Sequence, residues 1–370
     1  MGENKRQHYV PQFYLKNFSD SKKFINTYNI SRSKYIPEAS IRDMCQKENF
    51  YGADKKLEHF LNRVIETDTS TIIKDIINTN TFPNKEREEY IQLIVFLLVT
   101  EARNLKAADS TNNMFDIMSK NMLSLYPDIK KSDLDSFKIK LEQPSHHNIK
   151  IAIESAPLVY DLEPLLIVEP TGARKFITSD NPVVRYNSFY LEKNYFAGFG
   201  HVTRGLQLFF PISPQKCILL YDKHAYDIKG EKNGVLNLKA REVDQLNDLF
   251  YLNAYNNVFF NQKTKKEYIE GIHYKNKNIP KISELEREVS LFKSVNSHGS
   301  LFHFSQNKVS KKINFSWMKT SDFAKSLTMP AHLGGVHRTE SLVIRRFIEE
   351  RNANFGNGPS SPEKFIRVNK

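Results

Sequence analysis

Cysteine is scarce in this chain: two residues in 370, Cys45 and Cys217, far apart. Two thiols at that separation exclude a disulfide framework and a cysteine-rich zinc site, and a reducing, cytoplasmic setting is expected. Long apolar runs are missing as well. The longest, residues 90–99, is about half of the roughly 20 residues needed to cross a bilayer. Glu101 and Arg103 follow it at once, so it reads as a buried helix and no membrane span is expected. The first sixteen residues alternate polar and aromatic side chains without an apolar stretch of secretory length. Also absent are a GxxxxGK[ST] loop, a GxGxxG turn after a strand, an HExxH pair and a GxSxG elbow, which removes the best evidence for nucleotide-fold, zincin and α/β-hydrolase readings.

What is present is ample material for a core. Hydrophobic residues make up 40% of the chain, with 26 Phe and 17 Tyr, so the protein folds without staples. The formal charge of +12 would concentrate nucleic acid or another polyanion near the surface. The lysines are dispersed, however, and dispersed lysines also serve simply as a solvated surface.

The apolar spacing predicts an α+β protein: a helical N-terminal half packed on a mostly antiparallel sheet from the middle of the chain. Pro11 can start a short helix, and residues 23–29 with a partner near Tyr35 read as strands. Helical spacing runs through 54–77, through 85–108 with an apolar centre on every side, and through 112–125, and a short helix is expected within 132–141. After Gln143, Pro144 and Ser145 the texture turns to sheet. Residues 165–168 and 175–178 are expected to form a hairpin around Pro170, Thr171 and Gly172, and 207–211 to pair with 217–221. Residues 241–255 return to helix. No repeat or linker separates independent domains, and residues 261–370 read as a lysine-rich extension packed on the same body, with a frayed tail from Gly356.

Two strings carry a resemblance. The first runs Gln7, His8, Tyr9, Val10, Pro11, Gln12, Phe13, Tyr14, Leu15, Lys16, Asn17, Phe18; the second runs Phe176, Ile177, Thr178, Ser179, Asp180, Asn181, Pro182, Val183. With Phe210 to Pro214 and the segment from Leu246 to Phe259 in the same order, they resemble the bacterial family called domain of unknown function 4238. The resemblance spans 6–260 and implies a family-like α+β domain there. It implies no activity.

The candidate site residues are His8, Asp180, Asn181 and Arg103. A histidine held by packing beside an aromatic-proline segment can act as a general base or metal ligand, or be a buried ring bonded to a carbonyl. Ser179, Asp180 and Asn181 follow a strand, where loops build sites. Asp180 could hold a divalent metal ion or orient His8, and Asn181 could donate to a phosphate or carbonyl oxygen. Equally, Asp and Asn before proline close turns on their own backbone. Arg103 is an anion contact or, like Glu101 at the same helix end, part of an internal salt bridge. Glu58 and Glu66 are reserves, since eight positions exceed two α-turns and place them only approximately on one face. The adjacent His146 and His147 read as a polar loop, and His332 and His337 as weak metal candidates. Two functions follow: a hydrolase of a phosphodiester or other anionic substrate, with His8 as base, Asp180 as metal ligand or orienter and a divalent metal as an open possibility, or a non-catalytic module binding nucleic acid or protein.

Overall fold

A computed structural model describes residues 6–53, 55–124, 126–193, 200–279, 286–294, 297–305, 309, 311–329 and 335–355. The expected tail from Gly356 onward and His332 lie outside the described residues.

The chain begins with β1 (Arg6–His8) and α1 (Gln12–Lys16), with Pro11 as the residue before the helix. Strands β2 (Phe24–Asn29), β3 (Lys34–Ser40) and β4 (Gln46–Glu48) follow. A helical region comes next. It contains α2 (Lys56–Phe60), a π-helical stretch Leu61–Glu66, α3 (Thr67–Thr79), α4 (Glu88–Ala102), α5 (Leu105–Leu123), α6 (Lys131–Asp135) and α7 (Pro144–Glu154). The middle of the chain contributes β5 (Glu163–Val168), β6 (Thr178–Ser179), β7 (Val184–Tyr186), α8 (Ser188–Glu192), β8 (Gln207–Ser213), β9 (Lys216–Tyr221), β10 (Tyr226–Ile228), β11 (Val235–Asn237), α9 (Ala240–Asn253), β12 (Asn257–Phe260) and α10 (Lys266–Asn276). The last part holds β13 (Glu286–Ser294), β14 (Ser297–Ser305), β15 (Met318–Thr320), α11 (Asp322–Ser326) and α12 (Leu342–Phe355).

The α+β class holds, but the N-terminal half is not helical throughout, because β1 to β4 occupy residues 6–48. Nor are the sheets confined to mid-chain. A five-stranded sheet has the order β11-β5-β9-β8-β7, and a four-stranded sheet, β3-β2-β12-β6, joins the N-terminal hairpin to two later strands. The pairs are antiparallel except β11 with β5.

The strands of the larger sheet divide their side chains between two cores with the period of two that a pleated strand imposes. Leu166, Leu208, Phe210, Ile218 and Leu220 pack with the helical layer, around Leu93, Phe96, Leu97 and Ile73. Leu165, Ile167, Phe209, Cys217 and Leu219 pack on the other side with α9 and with Phe315 and Trp317 from late in the chain. A sheet covered on both faces needs apolar residues at consecutive positions, which is why these strands read as unbroken apolar runs. Helix α4 is buried almost all round, from Tyr90 to Val99, and lies between its neighbours as its sequence predicts.

Three local expectations are corrected. The hairpin of 165–168 with 175–178 does not form: β5 pairs with β9 and β11, while Thr178–Ser179 crosses to the four-stranded sheet beside β12. The turn at Gly172 therefore hands the chain from one sheet to the other. The single helix over 85–108 is divided, because the Asn104 side chain accepts the Ala107 N–H at 2.9 Å and caps a new helix, α5. His146 and His147 lie on α7, which starts at Pro144, a residue suited to a first turn.

Candidate functional site

The pairing of β1 with β4 sets the site's first wall. His8 lies opposite Gln46, and its neighbour Gln7 is fully buried on the other side of the strand. Gln7 donates Nε2–H to the Gly52 carbonyl (3.0 Å) and accepts the Tyr51 N–H on Oε1 (2.5 Å). The Tyr51 hydroxyl donates to the His8 carbonyl (3.2 Å), and His146 Nε2 donates to the Tyr51 carbonyl (2.7 Å). Gly52 has φ +93°, a conformation that favours glycine, and a Cβ there would meet the Gln143 side chain at 2.9 Å. Together these bonds clamp the backbone that carries His8.

The second wall is the α2 and π-helical segment, and the third is Arg103 at the corner between α4 and α5. Between them lies a cavity of about 210 Å³ lined by Arg6, His8, Gln12, Tyr51, Glu58, Asn62, Glu66 and Arg103, with Phe13 and Leu61 as its apolar part. Eight residues in a regular α-helix overshoot two turns by about 80°. The wider i→i+5 turn of Leu61–Glu66 takes up that excess and brings Glu58 and Glu66 to one cavity. π-Turns of this kind concentrate at functional sites.

His8 Nε2 is 2.9 Å from the Arg42 carbonyl. A carbonyl only accepts, so Nε2 carries the proton of the neutral ring and Nδ1 keeps the lone pair. Burial pushes the imidazole below its usual range, with the Arg103 charge adding to the effect; the Arg42 bond and the charges of Glu66 and Glu58 oppose it without cancelling it. His8 is therefore neutral at pH 7, and Nδ1 has no hydrogen-bond partner among the described residues.

Arg103 is fully buried. Its Nη1 donates to Glu66 Oε1 at 2.8 Å, whereas Nε and Nη2 have no hydrogen-bond partner among the described residues. Burial works against its charge, but Glu66 and the Tyr51 side chain beside it more than offset this, and the guanidinium stays protonated. A buried charged donor without an acceptor costs about 1–3 kcal/mol or more, so an acceptor reaching these two N–H groups would be stabilising. Glu101, two residues before it, pairs with Arg185.

Asp180 and Asn181 do not line this cavity. Asp180 is buried, with Oδ1 accepting the Tyr255 N–H (2.9 Å) and Oδ2 accepting those of Asn256 (2.8 Å) and Asn257 (2.9 Å). It closes the turn between α9 and β12. Asn181 accepts the Asn104 side-chain N–H (2.7 Å) and donates to the Asn253 carbonyl (3.0 Å). Since Asn104 is next to Arg103, Asn181 braces the corner from which Arg103 enters the cavity. Among the described residues no group of three or more His, Cys, Asp or Glu side chains is placed to hold a metal ion. His337 lies in a short bridge to Thr203.

A model of the family described as "Protein of unknown function (DUF4238)" matches residues 6–264. The chain belongs to this family. All the cavity's residues, from Arg6 to Arg103, fall within the matched DUF4238 segment, as do Asp180 and Asn181. No curated protein and no solved structure matches the chain. No described helix is long and apolar enough to cross a membrane.

Proposed function

We propose that the cavity between β1, the π-helical turn and Arg103 is the active site of a hydrolase acting on a phosphodiester or another anionic substrate. The observation that carries this reading is the presence, in one small cavity, of a neutral histidine with a free Nδ1 and a buried arginine with two unused donors. In the proposed reaction His8 Nδ1 takes a proton from water as its oxygen attacks phosphorus. The bond to the leaving oxygen, on the far side of phosphorus, breaks; that oxygen takes a proton from water, and the imidazolium gives its proton back to solvent. Arg103 balances the negative charge that gathers on the non-bridging oxygens. The Arg42 carbonyl holds the ring in the required tautomer. Asp180, which sequence alone makes a candidate metal ligand or orienting group, acts here through the turn it closes, and Asn181 through Asn104.

The test is cleavage of mixed RNA and DNA and of bis(p-nitrophenyl) phosphate, with Mg²⁺ or Mn²⁺ and with EDTA. The folded His8→Ala protein is expected to lose about 100-fold or more in rate, the usual contribution of a general base. Arg103→Lys, which keeps a charge for Glu66, should lose a comparable factor. Equal rates in folded wild-type and His8→Ala proteins would contradict the reading. The metal arm shows whether a divalent ion takes part.

A second reading, non-catalytic binding of a polyanion in the cytoplasm, is favoured by one observation. The formal charge of +12 would concentrate a polyanion near the surface. Binding of nucleic acid there would weaken steeply with salt and survive His8→Ala.

A further inference from the structure

The two unused donors of Arg103 are not scattered. Nε–H and Nη2–H lie parallel on one edge of a guanidinium, the edge that grips two oxygens of one anion. The protein uses the same edge elsewhere: Arg338 gives Nε and Nη2 to the two oxygens of Asp161 (2.8 and 2.9 Å), and Arg185 gives them to Glu101. At Arg103 neither N–H of this edge has a hydrogen-bond partner among the described residues, while Glu66 holds Nη1 and so fixes the plane of the group.

The charge around that edge is nearly spent. Arg103 is paired with Glu66 and Arg6 with Asp43, whereas Glu58 has no ion pair among the described residues. His8 adds no charge while neutral. A doubly charged guest would meet Glu58 and Glu66 with no cation left over, and a singly charged one would not be penalised twice.

We infer that the Nε/Nη2 edge of Arg103 seats one singly charged oxyanion through two of its oxygens, a phosphodiester in preference to a dianionic phosphomonoester, with Glu58 setting the preference. This rests on the same cavity as the proposed hydrolase and names its substrate class. It makes Glu58 a specificity residue.

The test is calorimetric titration at pH 8 with methyl phenyl phosphate, a monoanion, phenyl phosphate, a dianion, and benzoate, a carboxylate of similar size. The diester is expected to bind about tenfold tighter than the monoester, and Arg103→Lys to weaken it by roughly tenfold or more. Glu58→Gln should narrow the gap by roughly threefold, the range of a partly screened charge. Tighter binding of the monoester, or an Arg103→Lys protein that binds the diester unchanged, would overturn the inference. Benzoate binding tighter than the diester would overturn the phosphodiester assignment. Arg103→Gln with its fold checked by circular dichroism repeats the test without a cation. The titrations are made in the His8→Ala background, where the proposed hydrolysis is lost, so binding is read without turnover. A seated diester that is never cleaved contradicts only the hydrolase, and cleavage without diester binding at Arg103 contradicts only this seat.

Discussion

His8 and Asp180 show how little a residue type settles without its partners. Each could be catalytic or structural from sequence. The single carbonyl on His8 Nε2 leaves a basic nitrogen unused, whereas three backbone amides occupy the Asp180 oxygens. The lowered His8 pKa has a consequence for stability. An unfolded histidine titrates near 6.5, so below about that pH the unfolded chain binds a proton that the folded ring resists. The contribution is therefore intact above pH about 6.5 and is lost as pH falls from there through the lowered folded value. Urea unfolding at pH 8 and at successive lower values should show a drop across this window that is smaller in His8→Gln. An identical drop in both proteins would mean that His8 is not held neutral by the fold.

At the scale of elements, the turn between α9 and β12 depends on Asp180 from a distant strand. Asp180→Ala leaves three half-buried backbone N–H groups without their acceptor and should cost about 2–3 kcal/mol in urea unfolding. Its folded fraction should still bind a phosphodiester at Arg103. Loss of under about 1 kcal/mol would show that water replaces the carboxylate. Much was legible at this scale. The buried helix α4, the β2–β3 pairing, the β8–β9 pairing and helix α9 all follow from spacing and turn residues. The misread elements share a cause, since each was decided by contacts distant in sequence. Thr178–Ser179 pairs with β12 some eighty residues later, and residues 165–168 take their partners from β9 and β11. The site was half legible. His8 and Arg103 stand out by type, but the π-helical turn that aligns Glu58 with Glu66 leaves no periodic signal in six residues.

At the scale of the molecule, the segment matched by the DUF4238 family and the packed body are not the same length. The second core continues past residue 264 through Ile269, Ile272, Phe315, Trp317 and Met318. Arg338 is also buried, ion-paired to Asp161 and donating to the carbonyls of Leu158, His201 and Thr203. A chain ending at residue 264 would expose the sheet face around Phe209 and Tyr186 and leave Asp161 unpaired. Each large apolar side chain uncovered costs about 1.5–3 kcal/mol, more in sum than a domain's usual margin. Limited proteolysis should therefore digest the 1–264 protein while the full chain resists. A protease-resistant 1–264 protein would show that the later residues are an accessory layer.

The account stands or falls on the state of one ring, and ¹⁵N NMR of the His8 imidazole across pH reads it without any substrate. The predicted result is a proton on Nε2, none on Nδ1 at pH 7, and a midpoint below 6.5. A proton on Nδ1 at neutral pH would remove the base from the proposed site, and a midpoint at or above 6.5 would show that the fold does not hold the ring neutral; either contradicts the account.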